Sequence, residues 1–503
     1  MKIFELAYAK RLSRMIACGL AAGFFLPNLV SAAHLSPLTE NDFFMTQAKS
    51  RANPSVDALE IVGIGVSLET WRIHSDYPEA NLWSAVEQSK GGYIISTDPG
   101  KYPKDLNGFK MLDSKRLNDT VDAAMRDFMD MYPIPTAVVA PTVSAPTGQI
   151  EIQMKNARSG NADSFVVTPS SGPYTAVGQF PGLLTQRGQV MNSYLNDNPD
   201  KLWNTVFMTF DENGDVPAVG VGAMDGVLQR AAAFSRIDRP KFDTLMEPAY
   251  HPKHPRVISE NIVFLAMVKR GRIDWLRPFA PFIKDNMKVE TFGDGDPSRN
   301  SSAFDGWKKE PPQPFVPTRF IAKPWTAFQL DQYDHLENLG TLYRPQVVSY
   351  LDEHGKPIKA TERKVRMEAA LRAALAPLKG KMPARILYDY GSVLDDRNSA
   401  TRFLPLVQGL RAIDEEFDLL DTKRGYDLAR ILGDTGAGSP FVGVALASMA
   451  GRQSGGATLV ANMRRDDGAT LLLVTPPSAE QVAKDAAIKR PFWPRPGQGR
   501  QPD

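Results

Sequence analysis

Short apolar runs rich in β-branched residues recur along the chain and alternate with stretches of helical spacing. Residues 59–66 (LEIVGIGV) and 262–268 (IVFLAMV) carry apolar side chains or glycine at nearly every position, a composition typical of strands covered on both faces. Gly63 and Gly65 in the first run indicate a place where another backbone approaches closely. The alternation predicts an α/β fold of layered mixed sheets with covering helices.

The same patterns assign elements to much of the remaining chain. Helical spacing predicts helices around residues 82–86, 121–128, 362–378 and 403–413, and apolar runs predict strands at residues 93–96, 136–140, 206–210, 218–221 and 384–388.

The C-terminal part has the clearest local signals. Ser439 and Pro440 form an N-cap and first-turn pair for a helix with an apolar stripe behind it. After this helix, residues 458–463 and 469–474 flank a segment with the sequence Arg-Asp-Asp-Gly. Two apolar runs around such a turn predict a β-hairpin.

Composition divides the chain into five predicted parts. These are a signal peptide or membrane anchor (1–33), a linker (34–57), an N-terminal α/β domain (58–320), a C-terminal α/β domain (321–480) and a disordered tail (481–503). The boundary between the domains follows a shift to Gly, Asp, Ser and Pro between residues 294 and 324. The tail is predicted from its mixture of Pro, Arg, Gly and Gln.

The N-terminus has the three parts of a Sec-type signal. Three basic residues precede an apolar run at residues 15–30, and small residues at 31–33 suit a signal peptidase. The run is shorter than the roughly 20 residues that span a bilayer, and Pro27 interrupts it. We therefore expect cleavage and export to the periplasm, with retention as an inner-membrane anchor as the alternative.

Charge and cysteine content exclude several classes of function. The formal net charge is +2, which gives no reason to expect nucleic acid as a partner, and membrane contact is expected only through the N-terminal segment. Cys18 is the single cysteine and lies inside the predicted signal. Cleavage leaves a mature chain without disulfides, thiolate zinc sites or a cysteine nucleophile.

Motifs of common enzymes are missing from the sequence. There is no G-x-S-x-G elbow, H-E-x-x-H helix, Walker A loop or Rossmann glycine fingerprint. His251 and His254 are separated by Pro252, which disfavours the helix that would align them as metal ligands. The alternating polar residues at 211–215 and 294–300 lack the central glycine of a calcium loop. We expect no metal, no cofactor and no catalytic residue.

Residues 433–439 (GDTGAGS) are the most site-like segment of the chain. Small residues expose backbone N–H groups at a helix N-terminus, where they can hold an anion or polarise a carbonyl. The interpretation we favour is structural, because small residues also let a neighbouring element pack closely against a buried helix.

The two ends of the folded part resemble thiolase-like condensing enzymes. Residues 433–439 with the following helix and Leu459-Val460-Ala461-Asn462 resemble the C-terminal part of these enzymes, and residues 62–66 with 82–85 resemble their first strand and helix. The resemblance implies a thiolase-like fold with two related halves. It argues against their activity, because they use a cysteine nucleophile with histidine partners, and Asp434 occupies the place expected for a histidine.

A longer resemblance runs from about residue 58 to residue 477. The tracts at residues 94–99 (IISTDP), 317–320 (PTRF), 324–326 (PWT), 343–345 (YRP) and 433–437 (GDTGA) are similar to those of the type VI secretion lipase-adaptor family. This resemblance implies a protein that binds a phospholipase toxin and helps to deliver it to the spike of the secretion machine.

A non-enzymatic adaptor is therefore the expected function. Two alternatives stay open: an α/β enzyme of the cell envelope that uses Asp434, Ser439 or a histidine, and an envelope protein that binds small ligands. Trp307, Phe315, Arg319 and Trp325 are candidate anchors of a partner surface. The favoured interpretation of these four is a loop that its aromatic rings pin to the domain.

Overall fold

A computed structural model of the chain describes residues 55–69, 71–72, 79–95, 214–225, 259–290, 299–317, 321, 323–391 and 399–487, with short stretches between residues 102 and 211. The predicted signal peptide, most of the predicted linker, residues 488–503, His251, His254 and Arg319 lie outside the described residues.

The strands are β1 (Ala58–Leu68), β2 (Thr136–Val139), β3 (Gln189–Asn192), β4 (Ala218–Asp225), β5 (Asn261–Val268), β6 (Ile283–Glu290), β7 (Arg299–Trp307), β8 (Gly340–Tyr343), β9 (Gln346–Ser349), β10 (Arg385–Asp389), β11 (Gly425–Asp427), β12 (Thr458–Asn462) and β13 (Gly468–Thr475). Two-residue strands occur at Trp71–Arg72, Tyr174–Thr175 and Leu184–Thr185.

One large mixed sheet contains most of these strands, in the order β11-β10-β12-β13-β8-β1-β5-β4-β2-β3. β9 pairs with residues 468–471 of β13, next to the part of β13 that pairs with β8. The strand Trp71–Arg72 pairs with β1. Neighbours are parallel at the two ends, where β10 lies between β11 and β12 and β2 lies between β3 and β4. Between these ends, the neighbouring pairs β12-β13, β13-β8, β8-β1, β1-β5 and β5-β4 are all antiparallel.

The helices are α1 (Glu79–Gln88), α2 (Ala327–Asp334), α3 (Ala360–Leu375), α4 (Ser399–Ile413), α5 (Leu428–Leu432), α6 (Ser439–Ser454) and α7 (Ala479–Ala487). 3₁₀ segments occur at Arg270–Phe282, Ala376–Leu378 and Gly436–Gly438.

Alternating side chains of the sheet bury both of its faces. Ile386 of β10 packs into a core with side chains of α3 and α4, whereas Leu387 faces a second core that includes α1 and α6. Trp83 of α1 is fully buried in this second core and donates a hydrogen bond from Nε1 to Ser454 Oγ at 3.1 Å. The predicted layered α/β fold, with helices on a mixed sheet, is therefore confirmed.

The two glycines of β1 allow a helical segment to lie directly on the strand. A Cβ added to Gly63 would lie 1.7 Å from the carbonyl oxygen of Ala124, and one added to Gly65 would lie 1.8 Å from that of Thr120. No larger residue fits at either position without moving backbone. The close backbone approach predicted from the sequence is confirmed.

Several other predictions match the structure. The helix beginning at residue 439 is α6, the hairpin after it is formed by β12 and β13, and the strand and helices predicted between residues 362 and 413 are β10, α3 and α4.

The predicted tail begins at residue 481, but helix α7 runs past this position and ends at Ala487. The boundary between residues 320 and 321 stays a prediction.

Four local predictions were wrong. The described residues 93–95 form an extended connection rather than a strand, held by Ile94 N–H donating to Ile431 O at 2.9 Å. Val206 and Phe207 are helical and buried, because a short apolar run fits a buried helix as well as a strand. Residues 294–324, which the notable share of Gly, Asp, Ser and Pro marks as an irregular surface crossing, contain the regular strand β7. Ser439 is not the N-cap of α6, because the 3₁₀ turn before it continues into the helix and makes Gly438 the cap.

Candidate functional site

Three neighbouring parallel strands end in polar residues at one edge of the sheet. β10 ends at Asp389, β11 at Asp427 and β12 at Asn462. The register places Asp389 beside Asn462, and Tyr388 beside Asp427. Ligand sites of parallel α/β sheets lie beyond the carboxyl ends of the strands, so a site of this fold is expected at this edge.

An arginine joins two aspartates beyond this edge. Arg464 Nη1 lies 3.1 Å from Asp389 Oδ2, and Arg464 Nη2 lies 2.7 Å from Asp434 Oδ1. The side chains of Arg464, Asp389 and Asp434 are 1%, 1% and 6% exposed. Charges buried this deeply need the charge-assisted hydrogen bonds that they make to each other. We call these three residues the ion triad.

Residues 433–438 are held against the start of β5. Asp434 accepts a hydrogen bond on its backbone oxygen from Ser259 N–H at 2.6 Å, and Asp434 Oδ1 accepts one from Gly436 N–H at 2.9 Å. Asn261 Nδ2 donates to the backbone oxygens of Ser259 at 2.8 Å and Thr435 at 3.0 Å. These bonds fix the loop that presents Asp434 to the arginine.

Close packing explains the small residues of this loop. A Cβ on Gly438 would lie 1.8 Å from Asn261 Oδ1. Gly433 has φ +79°, and a Cβ there would lie 2.6 Å from Ser259 Oγ. The interpretation of residues 433–439 as a tight structural connection therefore has direct geometric support.

Four buried oxygen atoms of neutral side chains around this loop have no hydrogen-bond partner among the residues that the structure describes. They are Asn261 Oδ1, Thr435 Oγ1, Ser439 Oγ and Asn462 Oδ1. All are neutral amide or hydroxyl oxygens, so they can accept hydrogen bonds from water, and the two hydroxyls can also donate. Among the residues that the structure describes, no base is hydrogen-bonded to the Ser439 hydroxyl.

Asp427 is a carboxylate of this edge whose pKa is shifted from its ordinary value. Burial, opposed by a hydrogen bond from Arg430 N–H and reinforced by the charge of Asp389, raises the pKa of Asp427 to about 6. Asp427 caps α5 through its bond from Arg430 N–H at 3.1 Å, and Tyr390 Oη donates to its other oxygen at 3.2 Å. Its side chain therefore has a structural role as a helix cap.

A second buried polar group lies at the adjoining ends of β1 and β5. The backbone N–H of Glu69 donates to Glu260 O at 2.9 Å, and the N–H of Glu260 donates to Glu69 Oε1 at 2.7 Å. Arg116 forms an ion pair with Glu260, and Tyr102 Oη donates to Glu69. Burial and the charge of Glu260 raise the pKa of Tyr102. Glu260 lies between Ser259 and Asn261, so this group adjoins the 433–438 loop.

The other candidates from the sequence are separated from this edge. His335 Nδ1 lies 3.3 Å from Asp331 Oδ2 at the end of α2, and His354 is on an exposed turn. Asp211, from the alternating polar run, forms an ion pair with Arg344 at 2.7 Å. No group of three or more His, Cys, Asp or Glu side chains in the described ranges is arranged to hold a metal ion.

Two of the tracts that carried the adaptor resemblance have structural roles in the described chain. Arg344 of the 343–345 tract binds Val56 O through Nε at 3.0 Å and Nη2 at 2.7 Å, besides its ion pair with Asp211. Thr326 of the 324–326 tract caps α2 in a capping box with Gln329. These residues stabilise connections between elements rather than form a reactive centre.

The three described candidate anchors differ in their burial. Trp325 is buried, with its ring 5.7 Å from that of Tyr333. Phe315 is partly buried and stacks on Trp275 at 5.8 Å. Trp307 is 36% exposed. Two of the three described anchors thus pin the segment to the domain, and Trp307 is available to a partner.

Sequence reasoning identified Asp434 and Ser439 but missed Asp389, Asn462 and Arg464. The partners of Arg464 are 75 and 30 residues away in the chain, so no local spacing reveals the triad. The sequence did contain one signal for this site. Asp389 and Asn462 are polar residues that each come directly after the apolar residues of a buried strand.

In the described part of the chain, no helix combines the length and the apolar character that a membrane span requires.

Solved structures similar to the chain are ketosynthases. A type II PKS ketosynthase in complex with its acyl-carrier protein shares 12% identity at a TM-score of 0.41, covering 84% of this chain and 100% of that one. 3-Oxoacyl-(acyl carrier protein) synthase III from Pseudomonas aeruginosa PAO1 shares 12% identity at a TM-score of 0.34, covering 84% and 99%. With TM-scores below 0.5, these matches assign no activity to the chain.

Two family models match the chain in order. The model for the N-terminal part of the type VI lipase adapter protein Tla3 matches residues 57–241, and the model for its C-terminal part matches residues 339–476. Together the two ranges span more than half of the 503 residues. The second range contains α6, the ion triad and all strands from β8 to β13. The chain therefore belongs to the Tla3 family of type VI lipase adapters.

Proposed function

We propose that the chain is a non-enzymatic adaptor that binds a phospholipase toxin and assists its delivery by a type VI secretion spike. The observation that carries this proposal is the match of both halves of the chain to models of a lipase adapter family. The partners implied are proteins, a lipase-type toxin and a component of the secretion spike.

The geometry at the carboxyl edge of the sheet supports a non-enzymatic role. Asp434 is bound to Arg464 at 2.7 Å and to Gly436 N–H at 2.9 Å. A carboxylate held in this way serves to compensate a buried arginine and is poorly suited to accept a substrate proton. Ser439 has a buried hydroxyl without a hydrogen-bonded base among the described residues.

Direct binding tests the proposal. The purified full chain is mixed with a type VI lipase of the source organism, inactivated at its nucleophile, and complex formation is measured by size-exclusion chromatography. We expect a stable complex with the cognate lipase and none with a secreted lipase from outside the type VI system. Absence of a complex with every type VI lipase of that organism would overturn the proposal.

An envelope enzyme with Asp434 or Ser439 as a reacting group is the competing function. Asp434→Asn and Ser439→Ala variants separate the two, because an adaptor does not use either side chain as a reacting group. Variants that remain folded are expected to support toxin delivery at the wild-type level in a killing assay between bacterial strains.

We also propose that residues 1–33 export the chain to the periplasm by the Sec route, where it would meet its toxin. The basic, apolar and small-residue parts of this segment support the proposal. Cell fractionation with N-terminal sequencing of the mature chain tests it, and an uncleaved chain in the inner-membrane fraction would favour the anchor instead.

A further inference from the structure

The ribbon formed by β6 and β7 stands apart from the large sheet. Its antiparallel register runs from Ile283 beside Trp307 to Glu290 beside Arg299. Among the strands that the structure describes, neither outer edge of the ribbon pairs with a further strand, and the large sheet does not include it. The ribbon also lies between the two ranges that the family models match.

The two outer edges, which no described strand covers, define the chemistry that this ribbon can recognise. A two-stranded ribbon gains stability when a third strand extends it. Each outer edge presents a row of backbone N–H and C=O groups, which an extended segment of another protein satisfies by adding a strand. The ribbon therefore fits an extended polypeptide better than a helix or a small molecule.

Aromatic rings make the base of the ribbon rigid. The ring of Phe279 lies 6.3 Å from that of Trp307 and 5.4 Å from that of Phe315. Ile283, the first residue of β6, is buried. Lys308 N–H, just after β7, donates to Phe282 O at 2.8 Å. The start of one strand and the end of the other are thus both fixed to the body of the protein.

Apolar surface remains exposed beside this rigid base. Trp307 is 36% exposed and Val316 is 56% exposed. The ring of Phe304 lies 5.0 Å from that of Trp307 and supports it from within β7. A partly exposed tryptophan held by neighbouring rings is a common anchor of protein interfaces, because little side-chain entropy is lost when it is covered.

We infer that the ribbon and Trp307 form the surface that selects the lipase cargo, with an extended segment of the lipase added as a third strand. This inference rests on the proposed function. The lipase cargo is the occupant that we infer, because the ribbon lies outside the two ranges that the family models match, where a surface that distinguishes one lipase from another is expected. Apolar side chains of the added strand would cover Trp307.

A shortened ribbon tests the inference. Residues 287–302 are replaced by Asn-Gly, which joins the paired residues Asn286 and Ala303 through a two-residue turn. We expect this variant to bind the inactivated cognate lipase at least about tenfold more weakly than wild type, and Trp307→Ala to weaken binding by a similar factor. Val365→Ala, at a residue 62% exposed on α3, is the matched control and should bind as wild type.

Hydrogen exchange on the wild-type complex gives a second readout that does not depend on folding of the variants. Backbone amides of β6 and β7 should exchange more slowly in the complex than in the free chain. Wild-type affinity of the folded shortened variant, or unchanged exchange in the ribbon, would overturn the inference and leave the adaptor function standing. Failure of the wild type to bind any type VI lipase would overturn both.

A second copy of the chain is the competing occupant. Light scattering of the free wild-type chain distinguishes it, since a dimer that becomes a monomer when the ribbon is shortened would assign the edge to self-association and overturn the inference. A monomer in both cases supports a surface kept open for the cargo.

Discussion

Replacement of Arg464 by methionine should strongly destabilise the fold. The change removes the donors to Asp389 Oδ2 at 3.1 Å and Asp434 Oδ1 at 2.7 Å and leaves two carboxylates that are 1% and 6% exposed. Loss of one partner from a buried ion pair costs about 3–5 kcal/mol, because the remaining charge stays buried without its counter-ion. Two carboxylates lose their cation here, so we expect about 5 kcal/mol, a large part of the about 5–15 kcal/mol that holds a typical domain folded.

A matched surface pair provides the control. Arg277 makes two hydrogen bonds of 2.7 Å to Asp334, with side chains 40% and 39% exposed. Arg277→Met should cost about 1 kcal/mol or less, because solvent already screens that pair. The assay is urea unfolding followed by tryptophan fluorescence, with coincident circular dichroism as a check for two-state behaviour.

Neutralising the partners should reverse the effect. Asp389→Asn and Asp434→Asn, added to Arg464→Met, remove the two carboxylate charges that lost their cation, and we expect the triple variant to recover more than half of the lost free energy of unfolding. Equal costs for Arg464→Met and Arg277→Met would refute the reasoning, since the triad would then contribute no more than an exposed pair.

Three further predictions concern the same edge of the sheet. The pKa of Asp427 is raised from 3.8 to about 6 in the folded state, so this carboxyl binds its proton more readily there than in the unfolded chain. The ionised carboxylate therefore destabilises the folded state fully above pH 6, and this cost fades as the pH falls towards 3.8. Asp427→Asn, which keeps a helix cap, should therefore gain about 1–3 kcal/mol over wild type at about pH 7.5 and lose that gain by about pH 4, measured by urea unfolding at both pH values. Gly438→Ala places a methyl group 1.8 Å from Asn261 Oδ1 and should cost about 1–3 kcal/mol, whereas Gly271→Ala, with its nearest neighbour at 3.5 Å, should cost less than half of that in the same assay. Ser439→Ala removes a hydroxyl that is buried without a partner among the described residues, so thermal unfolding should show unchanged or higher stability.

Local sequence patterns predicted the elements that depend on local physics. The hairpin of β12 and β13 follows from two apolar runs around a polar turn, and α3 and α6 follow from the spacing of their apolar residues. Gly63 and Gly65 were predictive because a glycine inside a buried strand usually marks a close approach of another backbone. The run at residues 206–210 was misassigned because so short an apolar stretch carries no period that separates a strand from a buried helix.

The buried polar centre could be predicted only in part. The sequence identified residues 433–439 through their small side chains, but the interaction that holds Asp434 depends on a residue 30 positions later in the chain. The strand order that brings β10 and β12 together also places Asp389 beside Asn462, and this order is a property of the whole sheet. Long-range pairing of this kind leaves no periodic signal in one sequence.

Calorimetric titration of an inactivated type VI lipase into the full chain tests most directly whether the protein acts by recognition rather than by chemistry. Wild type and Ser439→Ala should both bind one lipase per chain with the same affinity. The claim that the protein acts by recognition would be contradicted if neither protein gave a heat of binding and the wild type turned over a substrate in a reaction that Ser439→Ala abolishes.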